Sequence, residues 1–266
     1  MLHINKLPFP TVQDLADSGR SLVIIPVGAV EEHGAHLPLG LDTFAAEAYA
    51  EEVARRLEEE GYTVLLAPAV AYGVARNAGD FPGTLTLEPD TLRSLVIDIG
   101  RSLSKHGLRR QVILNGHGEF AHTKALDEAV RTLVQEGMAQ VLCVGFTNDP
   151  ATTRACCGEG LQDLSRSPRP DREGHAGEKE TSVALYSFPD LVDRKAMDAL
   201  EPNFDYDVDA LRGEKKSYWD LSGGRGYFGS PAAACEETGR TLVTARGGNM
   251  ARIILNAFGS AKGTIT

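Results

Sequence analysis

Two short stretches of this chain set a carboxylate and an imidazole two residues apart: Glu31-Glu-His33 and His117-Gly-Glu119. In extended backbone, alternate side chains leave on the same face, so each pair can point at one spot. Asp42 follows the first pair and adds a fifth oxygen or nitrogen donor. Two carboxylate–imidazole pairs and a further acid suit two divalent ions of the zinc or manganese kind, with a carboxylate to bridge them. Ions held about 3.5–4 Å apart can deprotonate a shared water and polarise a carbonyl. A third group, Glu173-Gly-His175-Ala-Gly-Glu178-Lys-Glu180, offers His175 as a general acid or base and Glu180 as a support for the metals. The plainer reading of that group is a helix start, with Glu178 and Glu180 favoured in its first turn by the helix dipole. His36 lies inside the first loop, and His122 stands on the helix expected after Glu119.

The elements that must position these residues are legible as a βα alternation. Leu22 to Val27 predicts a buried strand, and Asp42 is placed as the N-cap of a helix from Thr43 to Glu60. Thr63–Ala67, Gln111–Leu114 and Gln140–Gly145 predict three more strands. Helices are expected over 11–18, 89–106, 121–136 and 177–188. A last helical stretch runs from Pro231 to Phe258, with a break suggested near Gly247-Gly248. Residues 147–173 read as irregular, and the loop from Pro68 to Glu88 is long enough to suggest function. The pattern argues for an α/β fold with a mainly parallel sheet, in one domain over residues 1–266. In such sheets ligands bind outside the carboxyl ends of the strands, which is where Glu31-x-His33 and His117-x-Glu119 fall.

The 266 residues are 42% apolar and 24% charged, with a net charge of −10 and no basic block. That balance argues against nucleic acid and anionic membranes as partners and names no substrate; a small-molecule substrate is expected from the donor residues instead. No leader or spanning segment is apparent, and Cys143, Cys156, Cys157 and Cys235 lack metal-binding spacing. Free thiols and a cytoplasmic location are therefore expected.

Val27-Gly-Ala-Val-Glu-Glu-His-Gly-Ala-His-Leu-Pro-Leu-Gly-Leu-Asp42 resembles the signature of the creatininase (creatinine amidohydrolase) family. Phe81-Pro-Gly-Thr84, Asn115-Gly-His-Gly and His175-Ala-Gly-Glu-x-Glu-Thr-Ser182 resemble further motifs of the family, in family order. The resemblance implies a three-layer α/β/α fold and two divalent ions per subunit, zinc or manganese, with iron admitted by the same donors. It implies one ion on Glu31, Asp42 and His117 and the other on His33, Asp42 and Glu119. It also implies a homo-oligomer, commonly a hexamer, and hydrolysis of a cyclic amide, formamide or similar C–N bond. Two departures bear on the substrate. Gly118 stands where creatininase has an aromatic, and Trp219 is the chain's only Trp. Creatinine itself is therefore not the expected substrate. The alternative is ring-opening hydrolysis of a cyclic ketone or a sugar or inositol derivative. A non-catalytic metal- or ligand-binding relative is the remaining reading.

Overall fold

The computed structural model describes residues 1–158, 160–161, 164–212 and 216–262. Five parallel strands form one sheet in the order β1-β3-β2-β4-β5. They are β1 (Leu2–His3), β2 (Ser21–Val27), β3 (Thr63–Leu66), β4 (Arg110–Asn115) and β5 (Gln140–Gly145). The four strands expected from the sequence are present. The two-residue edge strand β1 was too short to leave a pattern.

The helices are α1 (Phe9–Asp17), α2 (Leu41–Glu59), α3 (Pro89–Lys105), α4 (Phe120–Gln135), α5 (Pro150–Cys157), α6 (Glu178–Ser187), α7 (Arg194–Asp198), α8 (Val208–Arg212), α9 (Tyr218–Ser222) and α10 (Glu236–Phe258). Both faces of the sheet are covered, and β2 shows why its sequence is apolar without alternation. Leu22 and Ile24 pack into a core with α2 and α10, through Val53, Leu57, Leu242 and Ile254. Val23, Ile25 and Val27 face α3 and α4, through Leu92, Val96, Leu126 and Leu133. A strand buried on both faces has no polar side to show.

Three local expectations are corrected. Asp42 is not an N-cap: Gly40 holds that position and Asp42 lies inside the first turn of α2. Its carboxylate is thereby freed from backbone capping. Helix α10 runs unbroken through Gly247 and Gly248. A Cβ at Gly247 would meet the Glu52 side chain and one at Gly248 the Arg56 guanidinium, so these glycines admit α2 rather than end a helix. The stretch 147–173 contains α5, started by Asp149, whose carboxylate accepts the Ala151 and Thr152 N–H groups. Residues 159, 162 and 163 of that stretch lie outside the described residues.

Register brings the chemistry together. Val27, at the end of β2, pairs with Asn115, at the end of β4, so the two ligand-bearing loops leave the sheet side by side. The chain passes from β2 to β3 on one side and then returns to β4 on the other, which opens a crevice between β2 and β4. Pro26 assists on the β3 side, where it offers no N–H. There Ile24 O accepts Ala67 N–H but Pro26 O accepts Val70 N–H, one residue out of step. The missing donor thus falls where the chain after β3 peels away to wall the crevice.

Helices α6 and α10 close over the α2 face, and they cross at Gly239, where a methyl group would run into the Ser182 carbonyl. Gly239→Ala should therefore lower stability by about 1–3 kcal/mol. Denaturant unfolding should show a lower midpoint with an unchanged slope.

Candidate metal centre

At the crevice, residues far apart in sequence converge. Glu31, Asp42 and His117 form one group whose donor atoms lie within 4.8 Å of one another, and Glu31, His33 and His175 form a second. His117 Nδ1 is 3.2 Å from Glu31 Oε1 and 3.0 Å from Asp42 Oδ2. His33 Nε2 is 3.4 Å from Asp42 Oδ1 and 3.9 Å from Glu180 Oε2. His175 Nδ1 is 3.6 Å from Glu31 Oε1. All but Glu180 and His175 are buried, and those two line the cavity wall.

The backbone decides how the imidazoles face. His33 Nδ1 donates to Glu31 O at 3.1 Å, His117 Nε2 to Val74 O at 2.8 Å, and His175 Nε2 to Glu32 O at 2.7 Å. A carbonyl can only accept, so each of these nitrogens carries the proton. In the neutral ring the opposite nitrogen is then bare, and in all three cases it faces the carboxylates. Metal-binding imidazoles are oriented in this way by the groups behind them. His122 belongs to this support: its Nδ1 accepts Val74 N–H, its Nε2 donates to Asn115 Oδ1, and Asn115 holds the His117 loop. His36 stands apart from the donors, with Nε2 on Thr181 Oγ1 at 2.8 Å.

Electrostatics ask for positive charge at the centre. Burial opposes a proton on His117, yet Glu31 and Asp42 outweigh it and hold its pKa well above the ordinary value. His33 is raised against burial and the nearby His175 by Asp42 and Glu31. Burial favours a neutral Asp42, but His33 and His117 outweigh it and draw its pKa down. His175 is pushed up to about 10, against burial, by the Glu32 hydrogen bond and the charges of Glu31, Glu32 and Glu180. Glu31 Oε2, His33 Nε2 and Asp42 Oδ2 are buried without a hydrogen-bond partner among the described residues. Buried polar atoms left unpaired call for an ion or water, and the same donors fit a divalent cation better than a proton.

The remaining acids have distinct surroundings. Glu119 is buried and lines the cavity, and its Oε2 accepts Asn77 N–H at 3.0 Å. Glu178, fully buried, takes the N–H groups of Arg166 and Ser167 and the Ser165 hydroxyl, so it anchors a loop rather than reaching the centre. Glu173 lines the cavity while accepting Glu178 N–H and Ser230 N–H. Glu180 accepts Ala176 N–H at 2.6 Å. Ala176 has φ of 53°, a left-handed conformation that costs a non-glycine residue about 1–2 kcal/mol. This turn sends His175 inward, between the rings of His33 and Tyr218, at 4.3 and 4.6 Å.

A cavity of about 430 Å³ opens above these groups, walled also by Tyr49, Phe146, Lys179, Tyr218 and Arg246. None of those five was singled out in the sequence: Lys179 lies inside the Glu173–Glu180 group without a role there, and the others carry no motif. Trp219 packs on Phe81, at 4.9 Å between ring centres, and does not line the cavity.

A parallel α/β sheet with a histidine–carboxylate centre at its switch point defines an enzyme of the metal-centred hydrolase type. The sequence model described as Creatininase, creatinine amidohydrolase, matches residues 5–254, and the chain belongs to that family. It is 32% identical to a creatinine amidohydrolase of Pseudomonas putida over 202 residues, 71% of this chain and 73% of the relative. It is 35% identical to a mycofactocin precursor peptide peptidase of Mycobacterium tuberculosis over 191 residues, covering 70% and 66%. A 3-dehydro-scyllo-inosose hydrolase of Thermotoga maritima is 35% identical over 190 residues, covering 68% of this chain and 55% of the relative. Among solved structures, a Mn creatininase superposes with a TM-score of 0.72 at 26% identity, covering 97% and 98% of the two chains. A Zn-Zn type mutant creatininase gives 0.69 at 27% identity, covering 96% and 98%. No described helix is long and apolar enough to cross a membrane.

Adding zinc or manganese to chelator-stripped protein should raise its melting temperature, by about 2.7 kcal/mol of stabilisation at a hundredfold excess over Kd. Asp42→Ala, which removes the acid between His33 and His117, should abolish that rise in a thermal-shift titration.

Proposed function

We propose that this protein is a metal-dependent amidohydrolase that cleaves a small amide, formamide or cyclic amide with two divalent ions. The observation that carries the reading is the backbone anchoring of three imidazoles, which turns their bare nitrogens on Glu31 and Asp42. Glu31, Asp42 and His117 would hold one ion. His33, Asp42 and Glu119 would hold the other, with Glu180 beside them. When bound, such ions supply Lewis acidity toward a carbonyl and acidify water.

The chain's own residues do the rest. His175, protonated at Nδ1 on the side facing Glu31, gives that proton to the departing nitrogen and regains one from water. Its Nε2, bound to the Glu32 carbonyl, and its contacts with His33 and Tyr218 keep the ring from turning. The cavity walls of Leu41, Ala45, Val183 and Phe146 exclude bulk water from the reacting bond.

Mass spectrometry of the purified protein should find about two metal equivalents per chain. Glu119→Gln should lower this to about one, and Glu180→Gln should leave it at two. A substrate panel of lactams, formamides and keto-inositols should then show turnover of an amide class. His175→Ala should reduce that turnover by about 100-fold or more while retaining metal. Turnover of the keto-inositols alone would replace the amidase reading with ring-opening hydrolysis of a cyclic ketone.

A further inference from the structure

The cavity wall carries cations as well as acids: beside Glu31, Asp42, Glu119, Glu173 and Glu180 stand Arg246 of α10 and Lys179 of α6. Arg246 is 8% exposed. Its Nη1 donates to Tyr49 Oη at 2.7 Å and its Nε to Cys157 O at 3.2 Å, while its guanidinium lies 5.8 Å from the Tyr49 ring centre. Among the described residues no carboxylate makes an ion pair with Arg246 or with Lys179, and Nη2 of Arg246 has no hydrogen-bond partner. Lys179 is half-buried.

Glu180 acts on the charge of Arg246, and Glu173 and Glu178 on that of Lys179, but none pairs with either cation, so both are open to a visiting anion. The held edges of Arg246 fix its plane, so the remaining edge is a pre-set donor for a flat anion. Tyr49 adds to the recess: its hydroxyl oxygen accepts from Arg246, which leaves its own proton to donate.

We propose that Arg246, with Lys179 and Tyr49, is a carboxylate-binding recess that selects the substrate. The substrate is then a small amide whose far end carries a carboxylate, held so that its scissile carbonyl reaches the metal centre. The amide in this statement rests on the amidohydrolase reading; the carboxylate rests on the cationic wall alone.

Binding to the metal-loaded protein tests this without turnover. The probes are monohydroxamates of succinic, glutaric and adipic acids, each paired with the version whose free carboxylate is a carboxamide. The hydroxamate seeks the metals in every probe, so a difference within a pair reports the tail. Calorimetry should show the carboxylate form binding about tenfold or more tighter at the chain length that spans the cavity. Arg246→Met should erase that preference. Arg246 also ties α10 to α2 and α5, so Arg246→Lys and Lys179→Met serve if the methionine variant does not fold, and each should shrink the preference. Equal affinities within every pair, or a preference that persists in all these variants, would overturn the recess. A tail preference without turnover of any amide would instead spare the recess and refute the amidohydrolase reading.

Discussion

Glu31, Glu32, Asp42 and Glu119 stand out of water in a single crevice, and such a group is tolerable only if positive charge is brought to it. Much of the local architecture answers that demand. Imidazoles arrive from three directions, on the loops after β2 and β4 and ahead of α6. Each is fixed from behind by a carbonyl, and each turns its other nitrogen, which can carry a proton or bind a cation, toward the acids. Divalent ions complete the balance more fully than protons, because they satisfy several lone pairs at once.

The sheet supplies the frame for this charge. A pairing of Val27 with Asn115 sets two loops beside each other that are more than eighty residues apart in the chain. The Pro68–Glu88 loop then does what no regular element could: Val74 offers O to His117 and N–H to His122, Asn77 offers N–H to Glu119, and Thr84 takes Glu32 N–H. Three of these four contacts come from backbone groups of the loop and the fourth from the Thr84 hydroxyl.

The βα alternation and the strand bounds were legible because periodicity is a local property, and spacing marked Glu31, His33, Asp42 and His117, which the fold brings into two donor groups that Glu119 does not join. Asp42 was legible as a donor but misjudged as a cap, since the choice between Gly40 and Asp42 depends on where the loop delivers the chain. The long helix α10 hid its meaning for a similar reason. Gly247-Gly248 looks like a break until Glu52 and Arg56 of α2 are seen to fill the space beside it. Tyr49 and Arg246 were silent because each sits singly in a helix, and Lys179 because it stands between two acids that carry the motif; only the packing of α2, α6 and α10 turns all three toward one cavity. Motifs report chemistry that lies within one loop, whereas the opposite wall of a pocket is written in tertiary contacts.

The carbonyls behind His33, His117 and His175 have an evolutionary consequence. Point substitution changes side chains and leaves the peptide carbonyl in place, so the support of the centre is largely invisible to mutation as long as the loops keep their paths. The wall formed by α6 and α10 enjoys no such protection and can drift one residue at a time. Inheritance of this kind lets a reactive core persist while its clientele changes, and the relatives here carry names as different as creatinine amidohydrolase, peptide peptidase and inosose hydrolase.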